Sequence, residues 1–123
     1  MLIIEDSRSA QQQVAHHFEK LGFVVVARET GEEALDWLRG EETVALVICD
    51  LGLPGIGGSR VIEALRLEDA TAKVPIIVCS GRVSLEDRAR ALEAGADVFV
   101  EKPFSMRTLE AEVRRCLPDW RPT

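Results

Sequence analysis

The chain has 123 residues, a length at which one domain can bury a core without disulfides or a structural metal. Its hydrophobic share of 46% and charged share of 29% are those of an ordinary globular domain. The net charge of −6 argues against nucleic-acid binding by this domain through bulk electrostatics. Neither a membrane span of ~20 apolar residues nor a secretory signal is predicted.

Short apolar runs alternate along the chain with amphipathic segments. We predict β-strands at residues 2–5, 24–28, 45–49, 76–79 and 98–100. The first amphipathic segment places Ala10, Val14, Phe18 and Leu21 on one helical face, and Gly22 follows as its predicted C-cap. Five repeats of this alternation predict an α/β, doubly wound fold with a parallel sheet between helices.

Later helices are predicted from their start signals. Thr30-x-x-Glu33 and Ser84-x-x-Asp87 resemble N-terminal caps, and the last helix follows Ser105. Trp37 is predicted to flank the core face of the second helix. A proline at 118 then ends the pattern, so we predict one domain over 1–117 and a C-terminal tail or linker stub over 118–123, which includes Trp120.

Polar side chains follow four of the predicted strands. They are Glu5 and Asp6 at the end of the first strand, Asp50 after the third, Ser80 after the fourth and Lys102 after the fifth. Right-handed crossovers bring the carboxyl ends of parallel strands to one edge of the sheet, which is where such sheets bind ligands. We therefore expect these side chains to form one site, although each taken singly is compatible with ordinary cap or turn chemistry.

The residue types at this edge indicate a chemistry. Three carboxylates repel one another unless a hard cation such as Mg2+ lies among them. Lys102 and Ser80 add a positive charge and a hydrogen-bond donor for an anionic oxygen. Carboxylates, metal, lysine and hydroxyl together favour phosphoryl transfer, in which an Asp can be the nucleophile.

Cysteines and histidines are weaker candidates. Cys49, Cys79 and Cys116 form no CxxC motif and are predicted to be core residues in a reducing compartment, with Cys49 and Cys79 pointing away from the site; a redox role is the minor alternative. His16 and His17 are predicted to lie on the polar side of the first helix. A phosphohistidine relay within the domain is the alternative.

The ordered motifs resemble one family over nearly the whole chain. They are Glu5-Asp6, Asp50-Leu51-Gly52-Leu53-Pro54-Gly55-x-x-Gly58, Ser80-Gly81, and Gly95-Ala96-Asp97-x-Phe99-x-x-Lys102-Pro103-Phe104. This set resembles the receiver domain of two-component response regulators. The resemblance implies a flavodoxin-like sheet of five parallel strands in the order 2-1-3-4-5, flanked by five helices.

The resemblance also implies roles for the acidic residues. Asp50 would be the phosphoacceptor, taking a phosphoryl group from a phosphohistidine on a sensor histidine kinase or a phosphotransfer protein. Asp6 and Asp50 would bind Mg2+ directly, for which Mn2+ can substitute. Glu5 would act through water, and the backbone carbonyl of Gly52 would complete the protein ligands.

Further implied roles concern the response to phosphorylation. Lys102 would contact a phosphoryl oxygen, with a cis bond to Pro103, and Ser80 would move to the phosphoryl group as Phe99 swings inward. The fourth helix, fifth strand and fifth helix would then change as a surface read by an output domain or protein. The resemblance implies a cytoplasmic module that catalyses only its own phosphorylation and dephosphorylation. A phosphorylation-dependent homodimer is compatible with it.

The sequence departs from the family pattern at several site positions, and other functions remain as alternatives. Glu5 replaces the commoner Asp and Ser80 the commoner Thr, while Gly52 and Gly81 provide little bulk near Asp50. We therefore predict a short-lived phosphorylated state, which Arg82 would counter by contacting the phosphoryl group or an acidic side chain. The main alternative is a phosphorylation-independent interaction module. A phosphatase would need an acid at position 52, and a flavin-binding domain would need a phosphate loop in place of Glu5-Asp6.

Overall fold

The computed structural model describes residues 1–40, 43–52, 57–81 and 85–121. Its strands are β1 Leu2–Ile4, β2 Val26–Arg28, β3 Val47–Asp50, β4 Ile76–Ser80 and β5 Val98–Glu101. Its helices are α1 Arg8–Lys20, α2 Gly31–Leu38, α3 Gly58–Leu67, α4 Leu85–Ala94 and α5 Met106–Cys116. The strands are parallel in the order β2-β1-β3-β4-β5, which confirms the predicted fold class.

Two apolar layers, one on each face of the sheet, hold the fold together. One layer packs α2, α3 and α4 against alternate strand residues such as Val47 and Cys49. The other packs α1 and α5 through Phe18 and Leu109 against the intervening residues, including Ile48. Because successive strand side chains point to opposite faces, the unbroken apolar runs supply both layers.

Local signals set the helix starts and stops. The hydroxyls of Ser7, Thr30 and Ser105 each accept a hydrogen bond from the backbone N–H three residues later. Gly22 follows Leu21, the C-cap residue of α1, and has a φ of 99°, a conformation that suits glycine. The predicted cap at Ser84 lies outside the described residues.

The limits of β2 and β3 differ from the predicted ones because backbone hydrogen bonds to neighbouring strands determine where each strand begins and ends. β2 begins at Val26, whose N–H donates to the carbonyl of Met1 at 2.9 Å, whereas Val24 is 83% exposed. β3 begins at Val47 and extends through Asp50, which pairs in register with Cys79. Asp50 is therefore the last residue of its strand, where the paired backbone fixes its position.

The segment 118–121 packs on the domain. The Trp120 N–H donates to the carbonyl of Leu117 at 3.0 Å, and the indole lies 4.7 Å from the Phe23 ring, centroid to centroid. The Arg114 guanidinium lies 5.2 Å from the Trp120 ring centroid. Trp37 packs on the α2–α3–α4 layer, as predicted. Within the described ranges, no helix has the length and apolar character to cross a membrane.

Candidate functional site

An acidic cluster lies at the carboxyl edge of the sheet. Glu5 directly follows β1, Asp6 comes next, and Asp50 ends the neighbouring strand β3. One carboxylate oxygen from each of the three residues lies within 4.8 Å of the others. Glu5 is buried, whereas Asp6 is exposed. The strand order therefore brings together three acids from the ends of two strands that are distant in the sequence.

Lys102 supplies positive charge to this cluster. Its Nζ lies 2.9 Å from Glu5 Oε1 and 3.5 Å from Asp50 Oδ2. Its backbone N–H donates to the carbonyl of Ser80 at 2.7 Å, which continues the β4–β5 pairing beyond the strand end. The peptide bond between Lys102 and Pro103 is cis. One ammonium group is thus shared between two carboxylates.

Backbone N–H groups and one side-chain amide hold the acids and the backbone next to them. The N–H of Gly52 donates to Asp50 Oδ1 at 3.1 Å, and the N–H of Ser7 donates to Glu5 Oε2 at 3.3 Å. The amide of Gln11 donates to the Glu5 carbonyl at 3.2 Å. These roles of Ser7 and Gln11 were not predicted from the sequence. A usable signal was their place at the start of the helix that follows the acid pair.

The electrostatics of the cluster favour a cation. Burial, followed by a hydrogen bond to Asp50, raises the pKa of Glu5 from its ordinary 4.5 to about 6, against the opposing effect of Lys102. Burial lowers the pKa of Lys102, but the hydrogen bond to Glu5 and the charges of Asp50 and Glu5 outweigh it and raise that pKa. Crowded carboxylate oxygens with too little positive charge form a donor set that fits Mg2+.

Ser80 and Phe99 lie on the two strands beside this cluster. Ser80 ends β4, is 5% exposed, and stands opposite Glu101 in the register of β5. Phe99 is half-buried on β5, and the Arg88 guanidinium of α4 lies 4.9 Å from its ring centroid. Phe99 therefore links α4 to the sheet. Arg82, near the predicted site, lies outside the described residues.

The cysteines and histidines lie largely where predicted. Cys49 and Cys79 are buried free thiols, and burial raises the pKa of both, to about 12 for Cys79, which disfavours a reactive thiolate. Cys116 is partly buried against the α1–α5 layer. His16 is exposed, but His17 is half-buried and its Nε2 lies 2.9 Å from Glu110 of α5. His17 thus joins two helices rather than facing only solvent.

Comparison with curated proteins gives relatives that are longer than this chain. The Escherichia coli K12 transcriptional regulatory protein HprR is 36% identical over 114 residues, which cover 93% of this chain and 49% of HprR. The phosphate regulon transcriptional regulatory protein PhoB of the same organism is 34% identical over 114 residues, with the same coverage. The chain therefore spans about half the length of these curated relatives.

Solved structures match the chain along nearly all of its length. Chemotaxis protein CheY4 of Vibrio cholerae is 27% identical with a TM-score of 0.87, over 94% of this chain and 95% of CheY4. The receiver domain of a signal transduction histidine kinase from Syntrophus aciditrophicus is 29% identical with a TM-score of 0.86, over 99% of this chain and 92% of that one. The family model of the response regulator receiver domain matches residues 1–114. The chain is a member of the response regulator receiver domain family.

Proposed function

We propose that this receiver domain is a phosphorylation switch in which Asp50 accepts a phosphoryl group from a phosphohistidine. The observation that carries the proposal is that Asp50 lies 3.5 Å from Lys102 and has a carboxylate oxygen within 4.8 Å of one from Glu5 and one from Asp6. The donor would be a sensor histidine kinase or a histidine phosphotransfer protein. The only chemistry proposed for the domain is its own phosphorylation and dephosphorylation, so it would not act as an enzyme on other substrates.

Asp50 is placed to act as the nucleophile. Its side chain is 12% exposed, and the Gly52 N–H holds Oδ1, which leaves Oδ2 near Lys102. A carboxylate oxygen would form a bond to phosphorus as the phosphorus–nitrogen bond of the donor breaks, and that electron pair would return to the imidazole. Lys102 would stabilise the charge on the phosphoryl oxygens.

The acids would hold a divalent cation beside Asp50. Asp6 and Asp50 would bind Mg2+ directly, Glu5 through water, and the Gly52 carbonyl would complete the protein ligands. When bound, Mg2+ supplies positive charge that offsets repulsion between the carboxylates and an incoming phosphoryl group. Mn2+ has similar preferences for oxygen ligands and would substitute.

The output would run through α4, β5 and α5. Ser80 would turn toward the phosphoryl group, and Phe99 would swing inward, which would break the present contact between its ring and Arg88. A change at that contact would alter the surface that a downstream output domain or protein reads. We propose that the domain acts in the cytoplasm and makes no direct contact with nucleic acid. A phosphorylation-dependent homodimer that forms through the same surface would be one form of output.

The test is intact-mass measurement after incubation with acetyl phosphate. We expect a gain of one phosphoryl group that requires Mg2+ and is lost in Asp50→Ala. Asp36→Ala, which removes an exposed acid of α2, is the matched control and should still gain the group. If neither acetyl phosphate nor a purified phosphohistidine donor modifies the protein, and beryllofluoride with Mg2+ does not bind, the alternative of a phosphorylation-independent interaction module replaces the proposal.

A further inference from the structure

A cavity of about 470 Å³ opens beside the acidic cluster on the α1–α5 side of the sheet. Hydrocarbon forms most of its wall, with Ile3 and Ile48 from the sheet, Val14 from α1, and Phe104 and Met106 from the segment leading into α5. The charged side chains of Glu5, Asp50 and Lys102 also line it. Small-molecule sites in proteins have this size and this combination of apolar walls with few polar groups.

The proposed phosphoryl chemistry does not use this apolar wall. A phosphoryl group and a hydrated cation both interact with the polar atoms of Asp50, Lys102 and the neighbouring acids. Water against hydrocarbon finds few hydrogen-bond partners, so its displacement by an apolar body is favourable. The cavity is therefore suited to a ligand that has an apolar body and a polar end.

Charge selects the polar end. Two carboxylates that line the cavity, those of Glu5 and Asp50, face a single ammonium, that of Lys102, so negative charge predominates at its polar side. A ligand with a carboxylate or phosphate end would be repelled there, whereas an ammonium end would be attracted. A primary ammonium also donates up to three hydrogen bonds, which suits carboxylate oxygens.

We propose that this cavity binds a small primary amine with an apolar body, with its ammonium among the carboxylates and its hydrocarbon against Val14, Phe104 and Met106. The ammonium and a divalent cation would use the same carboxylates, so the two would exclude each other. On the proposed function, such an amine would keep Asp50 from being phosphorylated by denying the cluster its metal. Binding of the amine itself does not depend on that function.

The experiment is an NMR titration of the metal-free protein with 2-phenylethylamine. We expect saturable shifts at residues that line the cavity, and binding about tenfold weaker for the neutral analogue 2-phenylethanol. The apparent Kd for the amine should rise linearly with the concentration of free Mg2+. Equal binding of the alcohol, or an amine affinity that Mg2+ leaves unchanged, would overturn the assignment of the ammonium to the acids.

Two variants of α1 test the cavity itself. Ala10 lines the cavity, so Ala10→Phe should fill part of it and weaken amine binding by about tenfold or more. Gln12→Phe adds the same ring to an exposed position of the same helix that does not line this cavity, and should bind the amine as the unmodified chain does. Both variants should keep Mg2+ binding, which shows that they fold. Amine binding by folded Ala10→Phe at the original affinity would refute the site.

Discussion

Lys102 lies closer to Glu5 than to Asp50 in this structure, with Nζ 2.9 Å from the Glu5 carboxylate and 3.5 Å from that of Asp50. The ammonium therefore offsets the charge of a buried acid that is not the proposed nucleophile. A phosphoryl group on Asp50 would offer Lys102 a more highly charged partner. A phosphoryl group on Asp50 would thus compete with Glu5 for the Lys102 ammonium.

Lys102→Met is the first prediction. Without the ammonium, the charge that develops on the phosphoryl oxygens would have no nearby counter-charge from the protein, so phosphorylation by acetyl phosphate should be roughly a hundredfold slower. Mg2+ binding should not weaken, because a repelling positive charge has gone. Quenched-flow mass spectrometry gives the rate and calorimetry gives the Mg2+ affinity. Lys73→Met, at an exposed lysine, should match the unmodified chain, and an unaltered rate for Lys102→Met would remove the lysine from the mechanism.

The raised pKa of Glu5 predicts a pH dependence of stability. An acid with a folded-state pKa of about 6 and an ordinary value of 4.5 binds more protons folded than unfolded between these values. The free energy of unfolding of the metal-free protein should therefore fall as pH rises from about 4.5 through about 6. At 1.36 kcal/mol per unit, the loss is about 2 kcal/mol.

Urea unfolding in EDTA at pH 4.5 to 7 measures this loss as a difference between variants. Glu5→Gln has no carboxyl at this position to titrate, so it should lack the ~2 kcal/mol fall that the unmodified chain shows. Glu19→Gln, at an exposed glutamate of α1, should keep it. Parallel pH profiles for the unmodified chain and Glu5→Gln would contradict the raised pKa.

Most of the fold and the acidic cluster could be predicted because both depend on local pattern and on handedness. The apolar runs around Ile48 and Ile77 are buried on both faces, which indicates parallel strands, and right-handed crossovers then bring Glu5, Asp50 and Lys102 together. No side-chain distance is needed for that step. The strand limits were less predictable, since Val24 is apolar yet lies outside β2 and is exposed.

Contacts between distant segments could not be predicted in the same way. Arg66 of α3 donates to the carbonyls of Val74 at 2.6 Å and Gly95 at 2.7 Å and pairs with Asp97 at 2.8 Å. Nothing in the local sequence of Arg66 indicates these partners. The packing of Trp120 on Phe23 is a further example, because it depends on where α5 ends relative to α1. Such contacts follow from the assembled fold.

We predict that position 58 must be glycine for the backbone that carries Asp50 to keep its place. A Cβ at Gly58 would lie 2.6 Å from Leu51 Cα and 3.0 Å from the Asp50 carbonyl oxygen, so the backbone that carries Asp50 would have to move. Gly58→Ala should lower the free energy of unfolding by about 2 kcal/mol, in the range of overpacking, and slow phosphorylation of Asp50.

Gly57→Ala is the matched control, because a Cβ at that neighbouring position meets no atom within 4 Å. Its cost should be at most about 1 kcal/mol, from the weaker N-cap that Ala makes. Urea unfolding and acetyl phosphate kinetics on the two variants give the comparison. Equal stability and equal rates would show that α3 can shift away from Leu51 without disturbing Asp50.

Gly52 is predicted to shorten the lifetime of the phosphorylated state. A Cβ at Gly52 would lie 3.8 Å from Asp50 Oδ1, an ordinary contact distance, so a side chain at this position would begin beside the carboxylate. A Cβ at Gly81 meets nothing within 4 Å. Because neither glycine has a side chain to shield Asp50, Gly52→Met should slow hydrolysis of the aspartyl phosphate severalfold by covering one side of it.

The decay of the phosphorylated mass after removal of acetyl phosphate measures this lifetime. Ala72→Met, which adds the same bulk at an exposed position of the α3–β4 connection, should decay at the original rate. A slower decay in Gly52→Met alone would assign the effect to shielding of Asp50. If Gly52→Met and the unmodified chain decay alike, the missing side chain at Gly52 does not set the lifetime and the prediction is wrong.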